Sequence, residues 1–204
     1  MATRISGFSR APLPSSGDAV TVTNSSFGPD YGLFDYLTQL PRYAGAGNSA
    51  VVAGGAIAAA GTITSTDTAY SYNSVDAGGF GGALYSSSGL EDTVTNSPST
   101  ITVTNGTFDH NGAGAGGRGG AILGARVTVT GSAYSHVTFT NNQAGSNGRG
   151  GAIHATFLID HYTDFGANTV GDGGLGGAIY NGGSVTMGDT ASIHDNATIG
   201  GGGG

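Results

Sequence analysis

The chain has 204 residues, of which 41 are glycine, 37% are hydrophobic and only 9% are charged, with a formal charge of −7 and an isoelectric point near 4.8. All six basic residues are arginine, cysteine is absent, and Glu91 is the single glutamate. This composition argues against collagen, which needs glycine at every third position and abundant proline; against nucleic-acid binding, which needs a basic footprint; and against a membrane span, for which no apolar run of ~18–20 residues exists. So much glycine also disfavours helix, while the regular apolar clusters and low charge disfavour disorder.

In chain order, residues 1–42 carry no repeat and are expected to be an N-terminal arm and cap. Met1 to Phe8 lacks the apolar core of a signal peptide. Ala19 to Thr23 reads as a strand. Tyr31 to Leu40, with Phe34, Tyr36, Leu37 and Leu40, reads as a short helix stopped by Pro41, an apolar plug suited to covering the first coil of a repeat array. Residues 43–204 are repetitive. A Gly-Gly-Ala-aliphatic motif begins at Gly54, Gly81, Gly119, Gly150 and Gly176 and ends in Ile57, Leu84, Ile122, Ile153 and Ile179. An aromatic-x-x-Asn motif runs from Tyr70 to Asn73, Phe108 to Asn111, Phe139 to Asn142 and Phe165 to Asn168. Ile193 to Asn196 is a further copy with isoleucine for the aromatic, and Tyr43 is assigned as the first copy, with Ala46 at its asparagine position.

Each aromatic lies 11 residues before the next glycine pair, whereas the distance from a glycine pair to the next aromatic varies between 15 and 27 residues. One arc is therefore fixed and the other tolerates insertion, the signature of stacked coils with loops on one side. The variable arc holds alternating β-branched runs at Thr62 to Thr64, Ile101 to Thr104, Val127 to Thr130 and Val185 to Met187. The predicted fold is all-β, a right-handed parallel β-helix of about six coils. Equivalent residues should then sit ~4.8 Å apart along the axis. Tyr43, Tyr70, Phe108, Phe139, Phe165 and Ile193 are predicted to form one interior column, and Ile57, Leu84, Ile122, Ile153 and Ile179 a second. Asn73, Asn111, Asn142, Asn168 and Asn196 are predicted to occupy left-handed turn positions and to hydrogen-bond from coil to coil.

The paired Gly-Gly-Ala-Ile and Phe-x-x-Asn motifs resemble the repeats of bacterial surface β-helix proteins, including chlamydial polymorphic membrane proteins and autotransporter passengers. The resemblance covers about residues 43–204. It implies an extracellular or cell-surface setting and an adhesive or structural role rather than any particular activity. Absence of cysteine fits export without disulfides. The expected partners are a second copy of the chain, stacked head to tail, or a host or cell-surface ligand. For the stacked arrangement Phe34, Tyr36, Leu37, Leu40, Ile193 and Ile199 are the candidate contacts. The run of Gly200 to Gly204 carries no cap, which leaves open either a truncated repeat or coverage by the next subunit.

Catalysis is the alternative, since right-handed β-helices include polysaccharide lyases and hydrolases. Their sites need carboxylates clustered on adjacent coils. The best cluster is Asp160, His161 and Asp164, with Asp109, His110, His194 and Asp195 elsewhere, and the intervening repeats break any column of acids. These read as solvated turn residues, so no catalytic residue, cofactor or metal site is predicted. The Gly-rich stretches lack the regular aspartate of calcium-binding repeats and the lysine of a phosphate loop. A third reading is an ice- or surface-binding threonine face, from Thr-x-Thr triplets at Thr21, Thr62, Thr93, Thr102, Thr128 and Thr138. Their offsets from the preceding glycine pair differ, which predicts that they do not align. Arg118 and Arg149 share one register position and predict a small basic spot.

Overall fold

The computed structural model describes residues 19–28, 47–86, 100–188 and 190–200. Strands and turns are the regular structure of these residues, and every pairing between named strands is parallel, one turn of the chain upon the next. The fold is a parallel β-helix. Its rungs follow from the β-branched runs: Ala19–Thr23 pairs with the start of Thr62–Ser71, that with Thr100–Asp109, and that with the second half of Ile122–Thr130. Ile153–His161 and Ile179–Met187 continue the series. A second face carries the aromatic segments, among them Val137–Thr140, Thr163–Gly166 and Ser192–His194. A third is a sheet of two-residue strands, from Ser49–Ala50 to Ala197–Thr198.

The interior consists of columns. Tyr70, Phe108, Phe139 and Phe165 are fully buried and stack with ring centroids 4.7–4.8 Å apart and planes within 13° of parallel. Stacking of this kind adds ~0.5–1.5 kcal/mol per pair beyond burial. Leu84, Ile122 and Ile153 form the aliphatic column, with Ile57 and Ile179 at its two ends. Ile193 continues the aromatic column above Phe165 and is half exposed in the last described rung.

The first rung differs from the expectation. The ring stacked on Tyr70, at 5.2 Å, is Phe27, and the amide that donates to Asn73 Oδ1 belongs to Asn48. Tyr43, Phe34, Tyr36, Leu37 and Leu40 lie outside the described residues, as does the predicted cap. Residues 19–28, placed in the arm by sequence, are part of the stack. In this rung the aromatic and the asparagine are separated by an insertion in the turn that elsewhere is invariant, so the 11-residue spacing led to Tyr43.

The asparagines were placed in left-handed conformation, and this too is corrected. The residue before each one adopts it: Tyr72, His110, Asn141, Ala167 and Asp195 have φ of 53° to 56°. That single left-handed residue turns the following asparagine inward, and Asn73, Asn111, Asn142 and Asn168 are buried. Asn142 accepts from the Asn111 backbone N–H and from Asn111 Nδ2, at 3.0 Å each. Its own Nδ2 donates to Asn168 Oδ1 and to the Phe108 carbonyl, at 2.9 Å each. Two donors and two acceptor sites are thus all used. Asn111 and Asn168 repeat the pattern.

Gly119 and Gly120 show what the glycine pairs do. Gly119 has φ of 66°, and a Cβ there would strike the Ile122 carbonyl oxygen; a Cβ on Gly120 would strike the carbonyl of Gly151 in the next rung. The first glycine makes the bend and the second admits close contact between coils.

Replacing Asn142 by alanine removes one amide and strips partners from Asn111 and Asn168. The expected loss is about 2–4 kcal/mol of unfolding free energy, measured by urea titration. Asn141→Gly, on the exposed left-handed residue next to it, should cost under ~1 kcal/mol.

Candidate functional site

The first outer surface is the one the sequence argued against. Strand register brings Thr21, Thr64, Thr102 and Thr128 into one column, and Thr23, Thr66, Thr104 and Thr130 into a second beside it. The residues between them, Val22, Ser65, Val103 and Val129, face the interior, so period-2 alternation turns the threonines outward. The triplets at Thr21, Thr102 and Thr128 therefore align, with Thr64–Thr66 completing four rungs, and for these the expectation of misalignment is overturned; Thr138 lies on the second face and Thr93 outside the described residues. The offsets misled because they were measured across the variable arc. A long insertion precedes Thr100, and Thr62–Thr64, taken as the triplet, is one step out of phase with Thr64–Thr66. The array ends where Ile159 and His161 replace the pair. None of the eight threonine side chains makes a hydrogen bond among the described residues. The surface is an uncharged grid of hydroxyl and methyl groups, ~4.8 Å between strands and ~6.6–6.8 Å along them.

The second surface is a corner. Phe80, Arg118, Arg149 and Leu175 form an outer column, and Tyr85, Leu123, His154 and Tyr180 form the column beside it. Although they alternate outward from the core positions Ile122 and Ile153, Leu123 and His154 are each only 3% exposed. Rings and arginine stems cover them. Phe80 stacks on Tyr85 with centroids 5.7 Å apart, and His154 meets Tyr180 edge-on at 4.8 Å. The Arg118 guanidinium lies 6.0 Å from the Phe80 ring and that of Arg149 5.1 Å from Tyr180. Burial, reinforced by the charges of Arg118 and Arg149, pushes the His154 pKa down to about 4. Its Nδ1 is buried without a hydrogen-bond partner.

The candidate catalytic groups are separated. Asp160 lies inside the solenoid, fully buried, in the column of Val22, Val103 and Val129. One carboxylate oxygen accepts from Thr163 Oγ1 at 2.6 Å and the other has no partner. Burial raises its pKa. His161 and Asp164 are partly exposed, so the three do not share a site. At the next corner His194 sits between Asp195, 2.9 Å from Nδ1, and Asp164, 3.0 Å from Nε2. The hydrogen bond it donates to Asp195 is the main influence raising its pKa. Asp109 lies three rungs away in the His194 column and pairs with His110 at 2.9 Å. Burial pushes its pKa up, but hydrogen bonds from His110, Asn141 and Thr140 outweigh this and leave it lowered. No group of three or more His, Asp or Glu side chains suited to a metal ion occurs among the described residues. No described helix is long and apolar enough to cross a membrane.

No protein-family model matches the chain, and neither the curated proteins nor the solved structures contain a significant match. The two surfaces therefore stand on their own geometry. The corner was legible only as the shared register of Arg118 and Arg149. The aromatic partners Phe80, Tyr85 and Tyr180 were missed, although each lies a fixed distance from a glycine pair.

His154 gives a pH prediction. Its folded pKa, about 4, lies below the ordinary 6.5, so between these values the unfolded chain binds the proton and stability falls as pH drops. His154→Leu, matching Leu123 one rung below, should flatten the fall in urea midpoint between pH 6.5 and 4. Above pH 6.5 the two proteins should show no difference in slope.

Proposed function

We propose that this chain is a non-catalytic structural solenoid of an extracellular or cell-surface protein, an adhesive segment or a fibre subunit, whose outer faces do the binding. The observation that carries this reading is the ladder. Aromatic rings and fully hydrogen-bonded asparagines run through successive rungs and make a stiff rod whose interior is closed. The repeat's resemblance to bacterial surface β-helix proteins supplies the extracellular setting. The non-catalytic reading is favoured because Asp160 faces the core while His161 and Asp164 face out, so the best candidate cluster does not converge.

Stacking supports the fibre form. In the last described rung Val185, Met187 and Ile193 are 42%, 40% and 50% exposed, although the positions below them are core. Asn196 Nδ2, which in lower rungs donates onward, instead returns to the His194 carbonyl. A further rung, from this chain or another copy, would bury these side chains. Electron microscopy of the purified chain tests the fibre form. Filaments with a subunit rise near ~29 Å, about six rungs at ~4.8 Å, are expected for head-to-tail stacking. Uniform single particles would remove that form and leave the adhesive segment.

The aligned threonine columns favour a second reading, recognition of an ordered planar lattice such as ice. A repeat of hydroxyl and methyl groups can order water at fixed intervals in two directions. Thermal hysteresis and ice-recrystallisation assays check it. Activity is expected in the native chain and in Thr138→Tyr, on the second face, and should be lost in Thr102→Tyr/Thr128→Tyr. A native chain without effect on ice would remove this reading.

A further inference from the structure

The corner of Arg118 and Arg149 has features that packing alone does not explain. Consecutive rungs place two arginines at one register position on a chain with a formal charge of −7. Yet neither has a carboxylate within ion-pair distance among the described residues. Each is held instead against an aromatic ring, and the rings pull in opposite directions. Arg118 reaches back over Phe80 of the preceding rung, and Arg149 reaches forward over Tyr180 of the following one. The two forks are thereby splayed, with Leu123 and His154 on the rungs between the rings. His154 is almost completely buried with an unpartnered Nδ1. Like charges in adjacent rungs repel, and nothing within the described chain relieves them.

We propose that Arg118 and Arg149 form a site for an acidic polysaccharide, each guanidinium taking one carboxylate or sulfate group of the same chain. A guanidinium offers paired N–H donors matched to two oxygens of such a group. Two splayed forks on adjacent rungs can each engage one anionic group of the same polymer, whose charge offsets the repulsion between them. The stacked rings fix both side chains before the ligand arrives, which lowers the entropy lost on binding. His154, its pKa near 4, remains neutral at physiological pH and so adds no third charge. Arg126, over Phe157 at 5.0 Å, belongs to a different column with no second arginine above or below it. It therefore provides an internal comparison. The inference deepens the adhesive reading by naming a ligand chemistry, and it rests on that reading only for the source of the ligand.

The test is isothermal titration of the intact chain with heparin-derived oligosaccharides, which carry sulfates, with polygalacturonate oligosaccharides, which carry carboxylates, and with neutral dextran. Binding to one or both acidic probes, and none to dextran, is expected; the probe preferred identifies the group. Arg118→Gln and Arg149→Gln should each weaken binding about tenfold or more, while Arg126→Gln leaves it unchanged. Arg149→Lys, which keeps the charge but not the fork, should fall between. Circular dichroism of each variant checks that the solenoid is retained, and Arg149→Lys maintains the test should the glutamine variants unfold. No binding of either acidic probe, or equal loss in Arg126→Gln, would overturn the inference. Cell adhesion is scored separately. Adhesion that persists undiminished in the double glutamine variant leaves the adhesive reading standing without this site; oligosaccharide binding without adhesion does the reverse.

Discussion

An asparagine amide has two donors and two acceptor sites, and burying it is costly unless all four are used. In this chain the amides solve the problem by pairing with one another along the axis. Each Oδ1 accepts from the asparagine below, and each Nδ2 donates to the one above and to the backbone beneath the aromatic ring. The arrangement has a direction, because donation from amide to amide always runs from the N-terminal rung to the C-terminal one. It also has a consequence for register. A rung displaced by one residue would bury an amide with no partner and at the same stroke misplace a ring. Register is thus set by a polar penalty and an apolar gain at positions three residues apart.

The remaining interior can then vary, provided that polar substitutions come in pairs. Tyr70 replaces phenylalanine in the ring column, and its hydroxyl bonds at 2.9 Å to Ser65, which replaces valine in the neighbouring column. Burial raises the Tyr70 pKa well above its usual value despite that bond, so the phenol remains neutral. Asp160 and Thr163 repeat the device in a later rung, where the rung below has Val129 and Val137. Here the compensation is incomplete, since one Asp160 oxygen has no partner. Both pairs bridge a corner between two faces, where the columns come closest in sequence.

What the sequence disclosed follows from where insertions are forbidden. The arc from the aromatic to the glycine pair encloses the asparagine corner and the close contact at Gly120. A single added residue would break both, so spacing could be read directly and the ring, amide and aliphatic columns emerged with the right members from Tyr70 onward. The arc between the glycine pair and the next aromatic has no such constraint. There, counting residues placed the threonine triplets out of line, although hydrogen-bonded register aligns them over four rungs. The first rung failed for the complementary reason. Its insertion falls inside the otherwise fixed turn, between Phe27 and Asn48, and Tyr43 took their place in the count. The left-handed residue was misassigned to asparagine because asparagine tolerates that conformation well, whereas the ladder needs it one position earlier, even at Tyr72 and Ala167.

The same axial order governs what the outside can do. Interior columns hold the rungs at a common spacing, so any residue type recurring at one outward position becomes an array without further cost in ordering. Eight threonines are enough to make a neutral grid on one face, and two arginines are enough to place concentrated positive charge on a corner of an acidic chain. These surfaces lie on different parts of the circumference and share no side chain, and neither contributes to the ladder. Substitution at either should therefore alter recognition while the core columns remain intact. That independence is what a repeat architecture offers a surface protein: the fold is decided by the few positions facing the axis, and the outward positions are left free to match a ligand.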